Sequence, residues 1–303
     1  MDMRNKIVRG LVGILTAGAL LNFGCNQQTP GVEVSGSKYN VSANKIVQTK
    51  SSFLDDGVIK VGVISDIEGA VDSVSNATKI FQNERVDVVL VAGDLYSDFA
   101  RQARSQSNVK NGTKVLEPLV GIGVPVYIIP GNHESRKDYT QIIENFKGNK
   151  NVFDLNDRIA DLQGVNIAGL GGYHDSRFTS PYGFLISDSQ YERLEGRLKK
   201  GNEQSEPTLI LTHGPPKSDT KIDYVPNVGN VGDSRLAEIL SSNPNAINLH
   251  GHIHEGGGNI ANYGSNSFAI NVCCGGENAI SGSRVGIVSI KDGNVSYQEV
   301  KLK

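Results

Sequence analysis

The sequence of 303 residues predicts a mixed α/β domain with an antiparallel portion at its C-terminal end. From residue 56 onward, short apolar runs that end in glycine and polar residues alternate with segments of helical character. This alternation is typical of parallel βαβ units. The last two runs, 266–274 and 284–302, have no helical segment between them, and the Asp-Gly-Asn sequence at 292–294 is a hairpin signal.

Six apolar runs are predicted strands of this domain, and five of them end in polar residues of possible chemical use. They cover residues 58–66, 85–94, 125–134, 165–173, 208–214 and 247–254. Between the first two runs, Val71, Val74, Ala77 and Phe81 recur at helical spacing, which predicts an amphipathic helix there.

Composition excludes several classes of protein. The 30 basic and 32 acidic residues nearly balance, so the chain carries no electrostatic footprint for nucleic acid. The three cysteines, two of them adjacent, give no disulfide framework. A chain of this length forms one large domain or two small ones, with enough residues for a full core.

The first 25 residues predict an export signal of the lipoprotein type. Basic residues at positions 4, 6 and 9 precede the apolar run 11–23, which is too short to span a bilayer comfortably. The run ends at Gly24-Cys25, and this pattern resembles a signal in which Cys25 becomes the lipidated first residue. An ordinary cleaved signal or an uncleaved anchor is the alternative.

All of these readings predict an exported protein. The lipoprotein type places it on the outer side of the cytoplasmic membrane or in the periplasm, held by a lipid anchor. Residues 26–55 are rich in polar residues and are predicted to be a tether between the anchor and a domain that spans 56–303.

Side chains of types that can ligate metal ions follow five of the six apolar runs. They are Asp66, Glu68, Asp94, Asn132, His133, His213, His252 and His254. Because ligands bind at the carboxyl ends of strands in open α/β sheets, we expect these side chains to meet. Oxygen and imidazole donors without a thiolate suit manganese, iron, zinc or a similar divalent ion. They are too many for one tetrahedral ion and suit two ions that share a bridging carboxylate.

Taken singly, most of these residues have an ordinary structural explanation. An acidic pair after a strand usually faces solvent or caps a helix, and Gly-Asp is common turn chemistry. His174 and His250 are assigned to structure. The segments 131–134 (GNHE) and 251–254 (GHIH) are more telling. In the second, residues two apart on an extended chain project to the same face, so both histidines can reach a metal ion.

In this order, the five segments resemble the motifs of the calcineurin-like metallophosphoesterases. The matching segments are Asp66-Ile67-Glu68, Gly93-Asp94, Gly131-Asn132-His133-Glu134, His213 and Gly251-His252-Ile253-His254. The resemblance covers about residues 56–303 and implies a sandwich of two mixed β-sheets flanked by helices. It also implies a metal-dependent phosphoric ester hydrolase that acts on phosphodiesters or phosphomonoesters.

The same resemblance implies two divalent metal ions. One ion would be held by Asp66, Glu68, Asp94 and His254. The other would be held by Asp94, Asn132, His213 and His252, with Asp94 as the bridge. A hydroxide between the ions would be the nucleophile. His133 would stabilise the transition state or protonate the leaving oxygen.

Two positions depart from the family pattern. Glu68 stands where the family usually has histidine, so three carboxylates oppose two divalent ions and leave a formal charge of +1 instead of +2. We therefore expect manganese first, with iron, zinc or magnesium as alternatives. The acid that some members carry three residues after the bridging Asp94 is Ser97 here, with Asp98 one step off. The sequence therefore does not say what orients His133.

Two other functions remain open at this point. Glu68 could mark a catalytically silent binding or scaffold protein on the same fold, and metal-dependent turnover separates that protein from an enzyme. The second alternative is an enzyme for cell-envelope pyrophosphates or phospholipid headgroups. A substrate panel separates it from an enzyme for other phosphodiesters or phosphomonoesters. The expected partner is a small or extended phosphoester, and no oligomeric state is predicted.

Overall fold

The computed structural model describes residues 29–51, 57–97, 105–162, 164–202, 207–274 and 283–302. The predicted export signal at 1–25, its Cys25, and Asp98 lie outside these ranges. Within them, no helix combines the length and the apolar character that crossing a membrane requires.

The described residues form seventeen strands and five α-helices. The strands are β1 Thr29–Val34, β2 Ser37–Val41, β3 Lys45–Lys50, β4 Val58–Ile64, β5 Val88–Val91, β6 Val126–Ile128, β7 Val152–Asp154, β8 Ile159–Leu162, β9 Val165–Leu170, β10 Thr208–Thr212, β11 Tyr224–Val225, β12 Gly229–Asn230, β13 Ala246–His250, β14 Ile260–Asn262, β15 Phe268–Asn271, β16 Arg284–Lys291 and β17 Asn294–Lys301. The helices are α1 Val71–Glu84, α2 Ser105–Val120, α3 Arg136–Asn145, α4 Asp188–Asn202 and α5 Ser234–Ser242.

Two mixed sheets contain most of these strands. The larger has the order β1-β2-β3-β8-β9-β10-β13-β15-β14, and the smaller has the order β17-β16-β4-β5-β6-β7. Strands β4 to β7 are parallel to one another, and so are β9, β10, β13 and β15. The antiparallel hairpin of β16 and β17 confirms the turn that the sequence predicts at 292–294.

The sheets pack face to face, and helices cover their outer faces. In β5, Val88 and Leu90 point into the core between the sheets, whereas Val89 and Val91 point to the core beneath the helices. A third apolar cluster packs α4 and α5 on the larger sheet. This period-two alternation is what a strand needs when both of its faces are covered. The predicted sandwich of two mixed sheets flanked by helices is confirmed.

Helix α1 shows how the apolar pattern of the sequence fixes one outer layer. Val74, Ala77 and Phe81 are its buried residues, as the helical spacing predicts, whereas Val71 at the start of the helix is 37% exposed and does not join them. The helix ends at Arg85, whose left-handed backbone (φ 54°) lets its N–H bond back to the last turn.

The prediction of a polar tether over 26–55 is wrong for the part that the structure describes. Residues 29–50 form β1, β2 and β3, and β3 extends the larger sheet by pairing in parallel with β8. Tyr39 and Ile46 are fully buried there. The Tyr39 ring lies 5.7 Å from the ring of Phe153, and its hydroxyl accepts a hydrogen bond from Gln48 at 3.2 Å. The polar residues are the exposed half of these strands.

We predict that Tyr39→Ala lowers the free energy of unfolding by about 3 to 5 kcal/mol, because it removes a fully buried ring from the core. Urea unfolding of the full chain measures this. Lys38→Ala, at an exposed position on the same strand, is the matched control and should change stability by less than about 0.5 kcal/mol. Equal unfolding midpoints for the two variants would contradict the packing described for this segment.

Candidate metal centre

The parallel strands of both sheets end at the same edge of the sandwich, and the loops that follow these strands carry the predicted site residues. These residues are Asp66 and Glu68 after β4, Asp94 after β5, Asn132 and His133 after β6, His213 after β10, and His252 and His254 after β13. Backbone groups join the loops. The N–H of His252 lies 3.0 Å from both oxygens of Asp66, and the N–H of His133 donates to Asp94 at 3.0 Å. The first of these contacts connects the two sheets.

Two glycines of the motifs allow this close approach. A Cβ atom on Gly131 would overlap the carboxylate of Asp94, and one on Gly251 would overlap the carboxylate of Asp66. Any side chain at these positions would therefore push the loops apart.

Four of the predicted ligands have a left-handed backbone. Their φ angles are 52° at Asp66, 51° at Glu68, 53° at Asp94 and 69° at His252. Residues with a Cβ atom adopt this region at a cost, and such strain is concentrated at functional sites. The loops therefore hold these side chains in conformations that local preference alone does not favour.

Glu134 holds two of the strained loops together, a role that the sequence alone does not reveal. Its fully buried carboxylate accepts the backbone N–H groups of Gly131 at 2.6 Å, Leu95 at 2.7 Å and Asp94 at 3.2 Å. Burial and the charge of Asp94 raise the pKa of Glu134 to about 7. Its place beside Asn132 and His133 in the GNHE segment was the available signal, but the sequence does not show which backbone groups it would bind.

We call Asp94, Asn132, His213 and His252 the second position. The Nε2 atom of His213 lies 2.6 Å from Asn132 Oδ1 and 3.2 Å from Asp94 Oδ2. The Nδ1 atom of His252 lies 2.9 Å from the same oxygen of Asn132. One ligand atom from each of Asp94, His213 and His252 lies within 4.8 Å of the others. The structure thus brings together all four residues predicted for one metal ion.

The hydrogen bonds of the second position fix which atoms face its centre. The amide Nδ2 of Asn132 donates to the carbonyl of Phe178 at 2.6 Å, so its Oδ1 is the atom that faces the histidines. The Nδ1 of His213 lies 2.9 Å from the carbonyl of Ala92 and must donate to it. In the neutral ring, Nε2 of His213 therefore carries a lone pair that faces two acceptor oxygens. Such an arrangement needs a cation, either a proton or a metal ion, and the donor set fits a divalent ion.

The electrostatics of the second position agree with this requirement. Burial alone would lower the pKa of His213, but the charge and hydrogen bond of Asp94 outweigh it and raise the pKa to about 10. Burial also acts against the charged form of Asp94, yet the charges of His213 and His133 hold its pKa below the usual range. Burial lowers the pKa of His252 to about 3, so this ring is neutral and able to act as a ligand.

We call Asp66, Glu68 and His254 the first position. The Nε2 atom of His254 lies 3.5 Å from Asp66 Oδ1 and 3.6 Å from Glu68 Oε1. Burial acts against the charged Asp66, but the hydrogen bond with His254 and the charge of His213 keep its pKa below the usual range. The hydrogen bond with Asp66 in turn raises the pKa of His254 to about 9.

Glu68 has an unsatisfied atom in the first position. Its side chain is 4% exposed, and its Oε1 is buried with no hydrogen-bond partner among the described residues. Burial raises the pKa of this carboxyl. A buried oxygen without a hydrogen bond is costly, and a bound cation would satisfy it. Glu68, which departs from the family pattern, therefore also has the environment expected of a metal ligand.

His133 lies at the edge of a cleft above the two positions. Its side chain is 21% exposed, and its Nε2 lies 3.6 Å from Asp94 Oδ2. The cleft has a volume of about 310 Å³, and its lining includes the apolar residues Phe178 and Val231 and the acidic residue Glu255. None of the described lining residues is Lys or Arg. Contact with Asp94 is therefore one interaction that helps to orient His133.

Ser97 and His250 have no part in the site as described. The hydroxyl of Ser97 is buried with no hydrogen-bond partner among the described residues, so it supplies no bond to His133. His250 is fully buried within the strand end, with Nδ1 3.1 Å from the carbonyl of Gly251. Burial lowers its pKa to about 4. Its assignment to structure agrees with this environment.

Solved structures of other proteins share the fold. A dimetal phosphatase from Danio rerio is similar with a TM-score of 0.58 and 18% identity, covering 82% of this chain and 100% of that one. The protein TT1561 of Thermus thermophilus is similar with a TM-score of 0.56 and 14% identity, covering 81% of this chain and 100% of that one. No curated protein sequence matches the chain at a significant level.

The family model described as calcineurin-like phosphoesterase matches residues 59–256, well over half of the chain. This range contains both metal positions and His133. The chain therefore belongs to the calcineurin-like phosphoesterase family.

Proposed function

We propose that this protein is an exported phosphoesterase that hydrolyses phosphodiesters or phosphomonoesters with the help of two divalent metal ions. The second position carries the proposal, because the lone pair of His213 faces the oxygens of Asn132 and Asp94 in a buried pocket. Family membership supplies the reaction class. The name of the similar Danio rerio protein, a dimetal phosphatase, supports the choice of two ions.

Each ion would be held by one of the two positions, with Asp94 between them. Two divalent ions, when bound, supply an attacking water of lowered pKa and neutralise charge on the phosphoryl oxygens. The chain contributes a fixed ligand set, because backbone N–H groups already hold the carboxylates of Asp66 and Asp94. Manganese is the ion to test first, since carboxylate oxygens predominate among the predicted ligands of the first position.

The cleft favours a substrate of low charge. Its described lining holds carboxylates and apolar side chains but neither Lys nor Arg, so little apart from the metal ions would offset a negative substrate. A phosphodiester carries one negative charge near neutral pH, whereas a monoester carries nearly two. We therefore expect faster turnover of diesters. His133, at the edge of the cleft, would donate a proton to the leaving oxygen.

The export signal completes the proposal. The basic head, apolar run and Cys25 would deliver the domain to the outer side of the cytoplasmic membrane and anchor it there through a lipid. Fractionation of cells that express the full chain or its Cys25→Ser variant tests the anchor. Equal membrane association of the two would count against lipidation.

We predict that the full chain hydrolyses bis(p-nitrophenyl) phosphate in the presence of Mn²⁺ and that Asp94→Asn lowers kcat by about 100-fold or more. Loss of one preorganised electrostatic group costs about 10²- to 10³-fold, and Asp94 serves both positions. The rate of p-nitrophenolate release, with and without chelator, is the measurement. Asp188→Asn is the matched control, because that side chain is 90% exposed on α4.

Two outcomes would contradict this prediction. Equal rates for wild type and Asp94→Asn would mean that the site is not where turnover occurs. No turnover of the diester or of p-nitrophenyl phosphate by folded, metal-saturated protein would favour a binding or scaffold protein on the same fold.

We predict that His133→Asn slows hydrolysis more for a phenyl ester than for a p-nitrophenyl ester of the same phosphate. A poor leaving group needs its oxygen protonated, and general acid catalysis contributes about 10²- to 10⁴-fold. The ratio of kcat for the two esters is measured in wild type and in His133→Asn. Because both esters are assayed with the same protein, differences in folding or concentration cancel in the ratio. An equal loss for both esters would show that His133 acts on the phosphoryl group and not as a proton donor.

A further inference from the structure

Cys273 follows a parallel strand in the same way as the predicted ligands. Strand β15 is parallel to β13, with His250 opposite Asn271, so Cys273 leaves its strand beside His252. Cys273 also forms an isolated parallel bridge with Ser65, the residue before Asp66. Hydrogen bonds fix the backbone there: the N–H of Cys273 donates to Asn271 Oδ1 at 2.9 Å, and the N–H of Cys274 to the carbonyl of Ser65 at 3.0 Å.

The thiol reaches the first position. The Sγ of Cys273, a carboxylate oxygen of Asp66 and a ring nitrogen of His254 all lie within 4.8 Å of one another. Asp66 is fully buried, and Cys273 is 2% exposed. Bonds of about 2.0 to 2.3 Å place the ligand atoms of one zinc ion roughly 3.5 Å apart, so small side-chain rotations bring all three atoms onto one ion.

An independent observation points to a ligand at the same place. Glu68 Oε1 is buried without a hydrogen-bond partner among the described residues, and it lies 3.6 Å from the same Nε2 atom of His254. The first position therefore gathers a carboxylate of Asp66, an unsatisfied carboxylate oxygen, an imidazole and a thiol.

We propose that the thiolate of Cys273 is a ligand of the first metal ion, together with Asp66, Glu68 and His254. It shifts this position away from the manganese preference of the carboxylates and toward zinc and cobalt. This inference rests on the proposed function. Thiolate is a soft ligand that selects zinc over the harder manganese and magnesium. The thiol proton passes to solvent when the ion binds. Cys273 lies outside the family match at 59–256, so the family motifs do not assign it this role.

The neighbouring Cys274 provides a matched control. Its side chain packs in the apolar cluster beneath the helices and does not belong to the metal-ligating group. Substitutions at 273 and 274 therefore change the same atom type at adjacent buried positions with different expected effects.

Absorption spectroscopy of the full chain, titrated with Co²⁺ after removal of metal, tests the proposal. Wild type and Cys274→Ser should develop both visible cobalt bands and a near-ultraviolet sulfur-to-cobalt charge-transfer band. Cys273→Ser should keep the visible bands and lose the charge-transfer band. The affinity of Cys273→Ser for Zn²⁺ should fall by about tenfold or more, because removal of even a supporting group of a metal site typically costs that much. Its affinity for Mn²⁺ should change less.

The outcomes separate this inference from the proposed function. Cobalt bands with the same charge-transfer absorption in wild type and Cys273→Ser would overturn the role of Cys273 and leave the two-metal site standing. No cobalt bands in wild type would overturn both. Circular dichroism of each variant checks that it is folded. Cys273→Ala is a second variant that keeps no polar atom at this buried position, and it should also lose the charge-transfer band.

Discussion

Two buried carboxylates, Asp66 and Asp94, impose the constraint on which the rest of the site depends. They are 0% and 1% exposed, and buried negative charge is stable only when cations or hydrogen-bond donors offset it. The backbone N–H groups of His252 and His133 supply part of the compensation. The rings of His213 and His254 supply more, which is why both have raised pKa values. A pair of divalent ions would complete it.

The sandwich makes this arrangement possible because each sheet brings parallel strand ends to one edge. The smaller sheet contributes Asp66, Asp94 and Asn132, and the larger contributes His213 and the histidines after β13. Neither sheet has the complete set of predicted ligands for either position. Packing of the two sheets through the apolar core therefore positions the candidate metal centre, and loss of that packing would separate its predicted ligands.

The sequence was sufficient to predict the strands that end in polar motifs, the helix α1 and the meeting of Asp66, Asp94 and the histidines. It was not sufficient for residues 29–50, because a strand with one exposed face and many polar residues is hard to tell from a tether. Their pairing with β8 is a contact between distant segments that local composition does not encode. The place of Cys273 beside Asp66 and His254 was missed for a similar reason. The sequence places Cys273 in an antiparallel region, whereas β15 pairs in parallel with β13 on one side and antiparallel with β14 on the other.

Anomalous diffraction from crystals of the full chain grown with Mn²⁺ or Zn²⁺ tests the two-metal centre most directly. We predict two peaks per chain. One should lie among Asp66, Glu68 and His254, and the other among Asn132, His213 and His252, with Asp94 between the two. A single peak, or none at saturating metal, would contradict a two-metal centre.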